Sequence, residues 1–216
     1  MEKIEKIQSK LLGWYEEGGR KSLPWRKNQD PYRVLIAEVL LRKTRVEQAL
    51  PVFKKVVKRY PGPKALSESD LNDLRNLIGP IGLVSRVRNL KEIGREITSS
   101  HNCNVPSSFE NLKKLPGVGR YIASSVLCFG FGEDRAIVDG NVSRVYSRFF
   151  GRSKKSDASR DEDMWAFAQK VIPEGHAKCY NASLLDLGAL VCTHHDPSCD
   201  ECPLREDCNH ISIGSE

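Results

Sequence analysis

The sequence predicts an all-α protein. Apolar residues recur every three or four positions along most of the 216 residues, which is the spacing that places side chains on one face of a helix. Helix-capping and helix-breaking residues separate these segments at short intervals. The chain contains few convincing strand patterns, no tandem repeat and no low-complexity tract.

The predicted helices begin and end at recognisable signals. The first spans residues 2–17 and stops at a Gly-Gly pair. Asp30 and Pro31 are an N-cap and a first helical residue, and they begin a strongly apolar helix that runs to about position 43. Between these helices, Trp25 lies in a rigid Leu-Pro-Trp-Arg loop as a packing anchor. A further helix begins at the N-cap pattern of residues 67–70 and runs to 78, and a short one follows a capping box of Ser107 and Glu110. The remaining predicted helices span about 46–59, 85–99, 141–150, 162–172 and 180–190, and residues 151–161 are predicted to form an exposed polar loop.

One short motif stands out, the Leu-Pro-Gly-Val-Gly-Arg segment that begins at residue 115. Gly117 and Gly119 flank Val118, and two glycines so close allow a tight turn that exposes amide N–H groups at the start of the next helix. Such a turn is a potential anion site, although glycine pairs also mark ordinary turns. Asp139 follows one helix and one loop later, close to the N-cap of the helix at 141–150. The alternative is that Asp139 only caps that helix.

Composition excludes some classes of protein. The net charge of +6 permits a polyanionic partner without requiring one. No apolar run approaches the roughly 18–20 residues of a membrane span, and the N-terminus lacks the apolar core of a signal peptide. We therefore expect a cytoplasmic protein without membrane contact.

Four of the seven cysteines lie in one short C-terminal segment. Cys192, Cys199, Cys202 and Cys208 have the spacing Cys-x6-Cys-x2-Cys-x5-Cys. Four thiolates suit either zinc or a [4Fe–4S] cluster. Zinc sites usually contain two short-spaced pairs, and this segment contains one such pair, so the spacing favours [4Fe–4S].

Together, the Leu-Pro-Gly-Val-Gly motif, Asp139 and the cysteine tail resemble the helix-hairpin-helix DNA glycosylases of the endonuclease III superfamily, over essentially the whole chain. The resemblance implies two helical lobes with the DNA site in the cleft between them: a barrel of residues 23–135 that contains the hairpin, and a lobe of residues 1–22 plus 136–216 that carries the iron–sulfur loop. It also implies that the hairpin, from Gly117 through Val118 and Gly119 to Arg120, holds a DNA phosphate. Asp139 then supports the positively charged sugar transition state and helps a water molecule to attack it. We expect the N–H donors at the helix start to keep this carboxylate ionised.

Tyr121 bears on the type of reaction. Bifunctional members of the superfamily carry a lysine at this position, whose amine forms a Schiff base with the sugar and cuts the strand. A phenol cannot form an imine, so the resemblance implies a monofunctional enzyme that leaves an abasic site. Tyr121 then lines the base pocket or contacts the sugar; the alternative is a buried tyrosine with a packing role only.

Two subfamilies are similar to this chain, the compact G/T and G/U mismatch glycosylases and the adenine glycosylases. The adenine enzymes typically have Gln-Gln-Thr where this chain has Arg42, Lys43 and Thr44, which look like the basic-basic-Thr of the thymine enzymes. Adenine enzymes also usually append a domain that reads 8-oxoguanine, whereas this chain stops eight residues after Cys208. We therefore expect removal of thymine or uracil opposite guanine. Adenine opposite guanine or 8-oxoguanine is the alternative, and a non-catalytic DNA-binding protein on the same scaffold is the second.

The resemblance assigns further roles near the apolar helix. Glu38 matches the acid that protonates the leaving base in adenine enzymes, and its apolar surroundings are expected to raise its pKa. The thymine relatives share this glutamate, so it does not distinguish the two subfamilies. The alternative is that Glu38 only forms an ion pair with Arg42. Arg42 or Lys43 fills the gap left by the flipped base, and residues from Arg42 to Arg45 read the remaining guanine. The expected partner is duplex DNA with a mismatched or damaged base, bound by a monomer that associates with the nucleoid.

Overall fold

A computed structural model describes residues 2–27, 29–82 and 84–213. Within these ranges the chain forms helices and no β-strand, so the prediction of an all-α protein is confirmed. The described helices are α1 (Glu2–Gly18), α2 (Pro24–Lys27), α3 (Pro31–Leu41), α4 (Val46–Arg59), α5 (Pro63–Ser67), α6 (Leu71–Ile78), α7 (Val84–Ser100), α8 (Phe109–Lys114), α9 (Arg120–Ser125), α10 (Gly140–Phe150), α11 (Glu162–Val171), α12 (Ala177–Leu190) and α13 (Asn209–Ile213). None of them combines the length and the hydropathy that a bilayer crossing requires.

The chain divides into two compact units. The first comprises Met1–Lys21 and Gly132–Glu216, and the second comprises Ser22–Phe131. Each has its own hydrophobic core.

Helix α3 is the centre of the second unit. Asp30 is its N-cap and accepts a hydrogen bond from the N–H of Tyr32 at 2.9 Å, while Pro31 occupies the first turn. Almost every later residue of α3 is buried, as expected for a helix that is apolar on all sides. Trp25 is also buried, and its ring packs edge-on against Phe53 with 5.0 Å between centroids, which confirms its role as a packing anchor.

The first unit is built on α1, α10, α11 and α12. The aromatic side chains of Tyr146 and Tyr180 lie fully buried in its core, and their hydroxyl groups are 3.3 Å apart. The carboxylate of Asp186 is completely buried and accepts hydrogen bonds from the backbone N–H of Arg20 at 3.0 Å and from its Nε at 2.7 Å. This ion pair ties the segment after α1 to the middle of α12.

Several predicted boundaries were wrong by a few residues. The predicted loop around Trp25 is the short helix α2, because the N–H groups at positions 26 and 27 both bond to the carbonyl of Leu23. The helix predicted from Ser107 is capped instead by Ser108, whose hydroxyl accepts from the N–H of Asn111 at 3.3 Å. The sequence also gave no sign of α5 or of the π-helix Val126–Phe131 that continues α9. Helix α12 begins three residues earlier than predicted.

Candidate functional site

The glycine motif forms the turn that joins α8 to α9. Gly117 has φ +75°, and a Cβ atom there would lie 2.3 Å from Nδ2 of Asn89, so only glycine fits. Gly119 is different, because its φ is −96° and a Cβ atom would meet nothing within 4 Å. The fold therefore requires glycine at position 117 and leaves an open surface at position 119.

The residues around Gly119 combine an anchored turn with an exposed helix start. Val118 is 6% exposed and packs into the core of the second unit, which anchors the turn. Gly119 is the N-cap of α9 and Arg120 is its first residue. The open start of α9 can therefore accept an anion at its N–H groups without a side chain in the way.

The turn of residues 42–45, between α3 and α4, is tied to the glycine turn. Nη1 of Arg42 donates to the carbonyl oxygen of Gly117 at 3.2 Å. The carbonyl of Arg42 accepts from the guanidinium of the buried Arg86 and from Oγ1 of Thr44 at 3.3 Å. Two of the segments predicted to contact DNA thus form one hydrogen-bonded surface.

Lys43 occupies the left-handed region of backbone conformation, with φ +54°, and its side chain is exposed. This conformation is unfavourable for residues other than glycine, and it persists only where the surroundings impose it. Arg45 is also exposed and provides the extended N-cap residue of α4. Because the side chain of Arg42 is hydrogen-bonded to Gly117, Lys43 is the better placed of the two residues to extend its side chain away from the protein.

Glu38 and Tyr121 belong to the same unit as these turns. Glu38 is 5% exposed in the middle of α3. Tyr121 is half-buried at the start of α9 and packs against the hydrophobic core to which α3 belongs. Helix α9 continues into the π-helix Val126–Phe131, which also packs on α3. Such π-helical turns often occur at functional sites.

Asp139 lies in the other unit and caps α10. Its Oδ1 accepts from the backbone N–H of Val142 at 2.8 Å, and its Oδ2 accepts from Nδ2 of Asn141 at 3.3 Å. Burial has the largest effect on the pKa of this carboxyl and raises it above the ordinary value for aspartate, whereas the backbone N–H groups of Val142 and Asn141 lower it. The N–H donors expected at the helix start are therefore present, and burial opposes their effect on the pKa.

A hydrogen-bonded chain leads from Asp139 toward the cysteine segment. Nη2 of Arg144 donates to Oδ1 of Asn141 at 2.9 Å and to the carbonyl of Gly188 at 2.6 Å. Nε of the same guanidinium donates to the carbonyl of Cys192 at 2.8 Å. Arg144 is therefore a buried cation that fixes the side chain beside the aspartate.

The four C-terminal cysteines line one small cavity, together with Arg148 and Ile211. Nη1 of Arg148 lies 3.4 Å from Sγ of Cys192 and also donates to the carbonyl of Thr193 at 2.6 Å. None of the four thiols is in a disulfide, and all are partly buried. No three His, Cys, Asp or Glu side chains in the described part of the chain converge as the ligands of a single metal ion would. Cys192, Cys199, Cys202 and Cys208 line the same cavity without forming such a single-ion arrangement.

The sequence did not point to four residues that support these sites: Arg86 and Asn89 at the turns, and Asn141 and Arg144 beside Asp139. A signal was present for Arg144, which lies on the apolar face of the strongly amphipathic α10 and is 9% exposed. A charged residue at such a position usually has a specific partner.

Comparison with known proteins identifies relatives over nearly the full length. Residues 36–170 match the family described as HhH-GPD superfamily base excision DNA repair protein. The chain is 39% identical over 210 residues to a thymine-DNA glycosylase of Aeropyrum pernix, covering 95% of this chain and 94% of that one. It is 38% identical over 206 residues to a thymine/uracil-DNA glycosylase of Pyrobaculum aerophilum, covering 94% and 90%.

Adenine glycosylases and solved structures complete the comparison. An adenine DNA glycosylase of Buchnera aphidicola is 34% identical over 198 residues, which is 92% of this chain and 56% of that protein. The structure of a thermostable thymine-DNA glycosylase superimposes with a TM-score of 0.91 at 30% identity and covers 98% of both chains. Compact thymine glycosylases are thus similar from end to end, and the adenine enzyme is similar over its matching half.

Proposed function

The chain belongs to the HhH-GPD superfamily of base excision DNA repair proteins, and on this premise we propose that it is a monofunctional glycosylase that removes thymine or uracil opposite guanine from duplex DNA. The observation that carries the proposal is the end-to-end similarity to thymine and thymine/uracil glycosylases. These relatives are DNA glycosylases, which hydrolyse N-glycosyl bonds, and the present chain is such a hydrolase.

Asp139 is the proposed group that stabilises the reaction. When the bond between base and sugar breaks, positive charge develops on the sugar, and a carboxylate beside it lowers the energy of that state. The carboxylate also orients a water molecule for attack. Its two hydrogen bonds, to Val142 and Asn141, fix its position before the substrate arrives. Partial burial strengthens its electrostatic effect because fewer water molecules screen it.

The turns of the second unit are the proposed DNA contacts. The turn of Gly117, Val118, Gly119 and Arg120 holds a backbone phosphate, with Val118 anchoring the turn through the hydrogen bond from its N–H to the carbonyl of Leu115 at 3.0 Å. The open space at Gly119 supports this role because a phosphate needs close approach. Arg42 holds the neighbouring turn in place through Gly117. The second group of proposed contacts consists of Arg42, Lys43, Thr44 and Arg45.

Lys43 is the proposed wedge that fills the gap when the target base leaves the helix. Its unusual backbone conformation, and the hydrogen bond that holds Arg42 against Gly117, support this choice over Arg42. Extrusion is least costly at a mismatch, where pairing is already weakened. Discrimination in favour of mismatched DNA therefore begins before the base reaches the pocket.

Glu38 and Tyr121 are the proposed pocket residues. Burial of Glu38 in an apolar helix is the setting in which a carboxyl group can donate a proton to a leaving base. Tyr121 lacks an amine, so no Schiff base with the sugar forms and the product is an abasic site.

We propose that the cysteine cavity holds a [4Fe–4S] cluster, and the side chains that line it support this assignment. Four thiols surround one space, none is paired in a disulfide, and apolar and cationic side chains close the cavity. Cys192, Cys199, Cys202 and Cys208 would hold the cluster as thiolates. The group would fix the loop that carries these residues. A protein that contains zinc and no iron would contradict this assignment.

One assay panel tests the proposed substrate. The enzyme is incubated with duplexes that contain G·T, G·U, G·A or 8-oxoguanine·A, and strands are compared before and after alkali. We expect breaks in G·T and G·U duplexes only after alkali. Breaks without alkali would contradict the monofunctional assignment, and release of adenine would favour the alternative activity. Asp139→Asn is the matched inactive control; unchanged base release by this variant would favour a different catalytic group.

The proposed partner is duplex DNA, bound by one copy of the chain in association with the nucleoid. The net charge of +6 supports binding to a polyanion. Sedimentation of the protein with and without a duplex tests the monomeric state.

A further inference from the structure

A basic groove lies in the first unit, at the end of α10 opposite to Asp139. It has a volume of about 510 Å³ and is formed by the loop after α10 and one face of α11. Four of its lining residues are cationic and exposed: Arg152, Lys154, Lys155 and Lys170. None of the roles assigned above uses this groove.

The floor of the groove is rigid. The ring of Phe167 packs edge-on against Phe150 and Tyr146, with centroids 4.9 Å and 5.6 Å apart. The guanidinium of Arg152 lies over the same ring, 4.1 Å from its centroid. A cation–π contact of this kind holds the planar group flat and preserves its charge and its hydrogen-bond donors.

The two carboxylates that line the groove have different environments. Asp161 is 3% exposed, and its oxygens accept from the N–H of Lys155 at 2.8 Å and of Met164 at 3.2 Å. These hydrogen bonds hold the loop after α10 against α11. Asp163 is exposed, so one solvent-accessible carboxylate faces four cations, and the groove has a net positive charge.

We propose that this groove binds a phosphodiester segment of the DNA that flanks the target base. The 11-residue α10 separates the groove from Asp139 by about 16 Å, which corresponds to roughly five base pairs along a duplex. A phosphate backbone supplies repeated negative charges at that distance, and the DNA is already held nearby by the active site. The proposal rests on the chain acting on DNA and is independent of which base it removes.

The first test is a charge-neutralising variant with a matched control. Lys154→Gln, Lys155→Gln and Lys170→Gln are combined, and the control combines Lys54→Gln, Lys55→Gln and Lys58→Gln on the exposed face of α4 in the other unit. Both variants lose three charges. The Kd for a 30-base-pair duplex without a lesion is measured by fluorescence anisotropy at several salt concentrations.

We expect the groove variant to reduce the slope of log K against log salt by about 2 to 3, because each lost phosphate contact contributes about 0.9. The control should change it by less than half as much. Equal effects of the two variants would overturn the proposal, since net charge alone would then explain them. The rate of base release under saturating single-turnover conditions should be unchanged in the groove variant. This rate tests the proposed activity, whereas the salt dependence of Kd tests the groove, so the two proposals can fail separately.

A second variant should change the DNA affinity in the opposite direction. Asp163→Asn removes the exposed carboxylate and should tighten DNA binding severalfold at low salt, although loss of a negative charge from the first turn of α11 should slightly lower its Tm. Damage to the fold cannot explain tighter binding. An unchanged Kd for this variant would overturn the proposal. If a polyglutamate peptide binds in the groove, and neither the triple lysine variant nor Asp163→Asn changes DNA binding, the groove binds a protein partner and the proposal is overturned.

Discussion

Nη1 of Arg42 donates a hydrogen bond to the carbonyl oxygen of Gly117 at 3.2 Å, although the two residues are 75 positions apart. This contact joins the turn after α3 to the turn before α9, and Arg86 supports it by donating to the carbonyl of Arg42. The two turns that are proposed to bind DNA are therefore directly linked. Disturbing one should affect the function of the other.

Lys43 provides the first prediction. Lys43→Gly removes the proposed wedge and also relieves the left-handed backbone, which costs a non-glycine residue about 1–2 kcal/mol. We expect a higher Tm together with a base-release rate that falls by about 10- to 100-fold, or roughly 1.4–2.8 kcal/mol. Single-turnover kinetics and thermal unfolding measure the two effects. Lys43→Arg is the control and should remain active; equal rates for the wild type and the glycine variant would exclude the wedge role.

The two glycines of the hairpin should respond differently to alanine. Gly117→Ala places a Cβ atom 2.3 Å from Asn89 at a positive φ, and we expect it to reduce the free energy of unfolding by about 2–3 kcal/mol. Gly119→Ala should reduce the free energy of unfolding by only about 1 kcal/mol, because alanine is a poorer N-cap than glycine, and should weaken DNA binding, because the added methyl group obstructs the phosphate. Urea denaturation and anisotropy test the pair. Normal DNA affinity in the stable Gly119→Ala variant would argue against a phosphate at this turn.

The pKa of Asp139 predicts opposite effects of pH on stability and on activity. Because burial raises the pKa of this carboxyl in the folded state, the native protein binds a proton more readily than the unfolded chain. Its contribution to stability is therefore fully present at low pH and is lost as pH rises through the raised pKa. Activity requires the ionised form and should fall with acid in the same range, above the ordinary pKa of aspartate. Asp139→Asn should be inactive and should lack this component of the pH dependence of Tm.

Asn141→Ala tests how the aspartate is held. Removal of the donor to Oδ2 disfavours the ionised form, so the acidic limb of the pH–rate profile should move to higher pH. The maximum rate should fall as well, because the carboxylate loses orientation. Single-turnover rates across pH provide the readout. A lower rate with an unchanged acidic limb would indicate that Asn141 acts without contacting the aspartate.

The buried pair of Arg20 and Asp186 should dominate the stability of the first unit. Arg20→Met leaves the fully buried carboxylate of Asp186 without its cation, and we expect a loss of about 3–5 kcal/mol. The double variant with Asp186→Leu should recover a large part of that loss, since no charge remains buried. Denaturant unfolding of the single and double variants forms the test. Equal stabilities of Arg20→Met and the wild type would show that the pair contributes little.

The sequence by itself determined the features that depend on neighbouring residues. Asp30 with Pro31, and Asp139 with the helix after it, are local capping signals, and the structure confirms both. The helical class follows from apolar spacing for the same reason. The capping box failed by one residue because Ser107 and Ser108 are both competent caps, and only packing chooses between them.

Tertiary structure alone decided the contacts that cross long stretches of sequence and the balance of opposing effects. No local pattern predicts that Arg42 reaches Gly117, or that Arg20 pairs with Asp186 at a separation of 166 positions. The pKa of Asp139 belongs to the same class, because the sequence shows its hydrogen-bond donors but not how much water the folded chain removes. Hydrogen bonds near a helix start are set by adjacent residues, whereas burial is set by the whole unit.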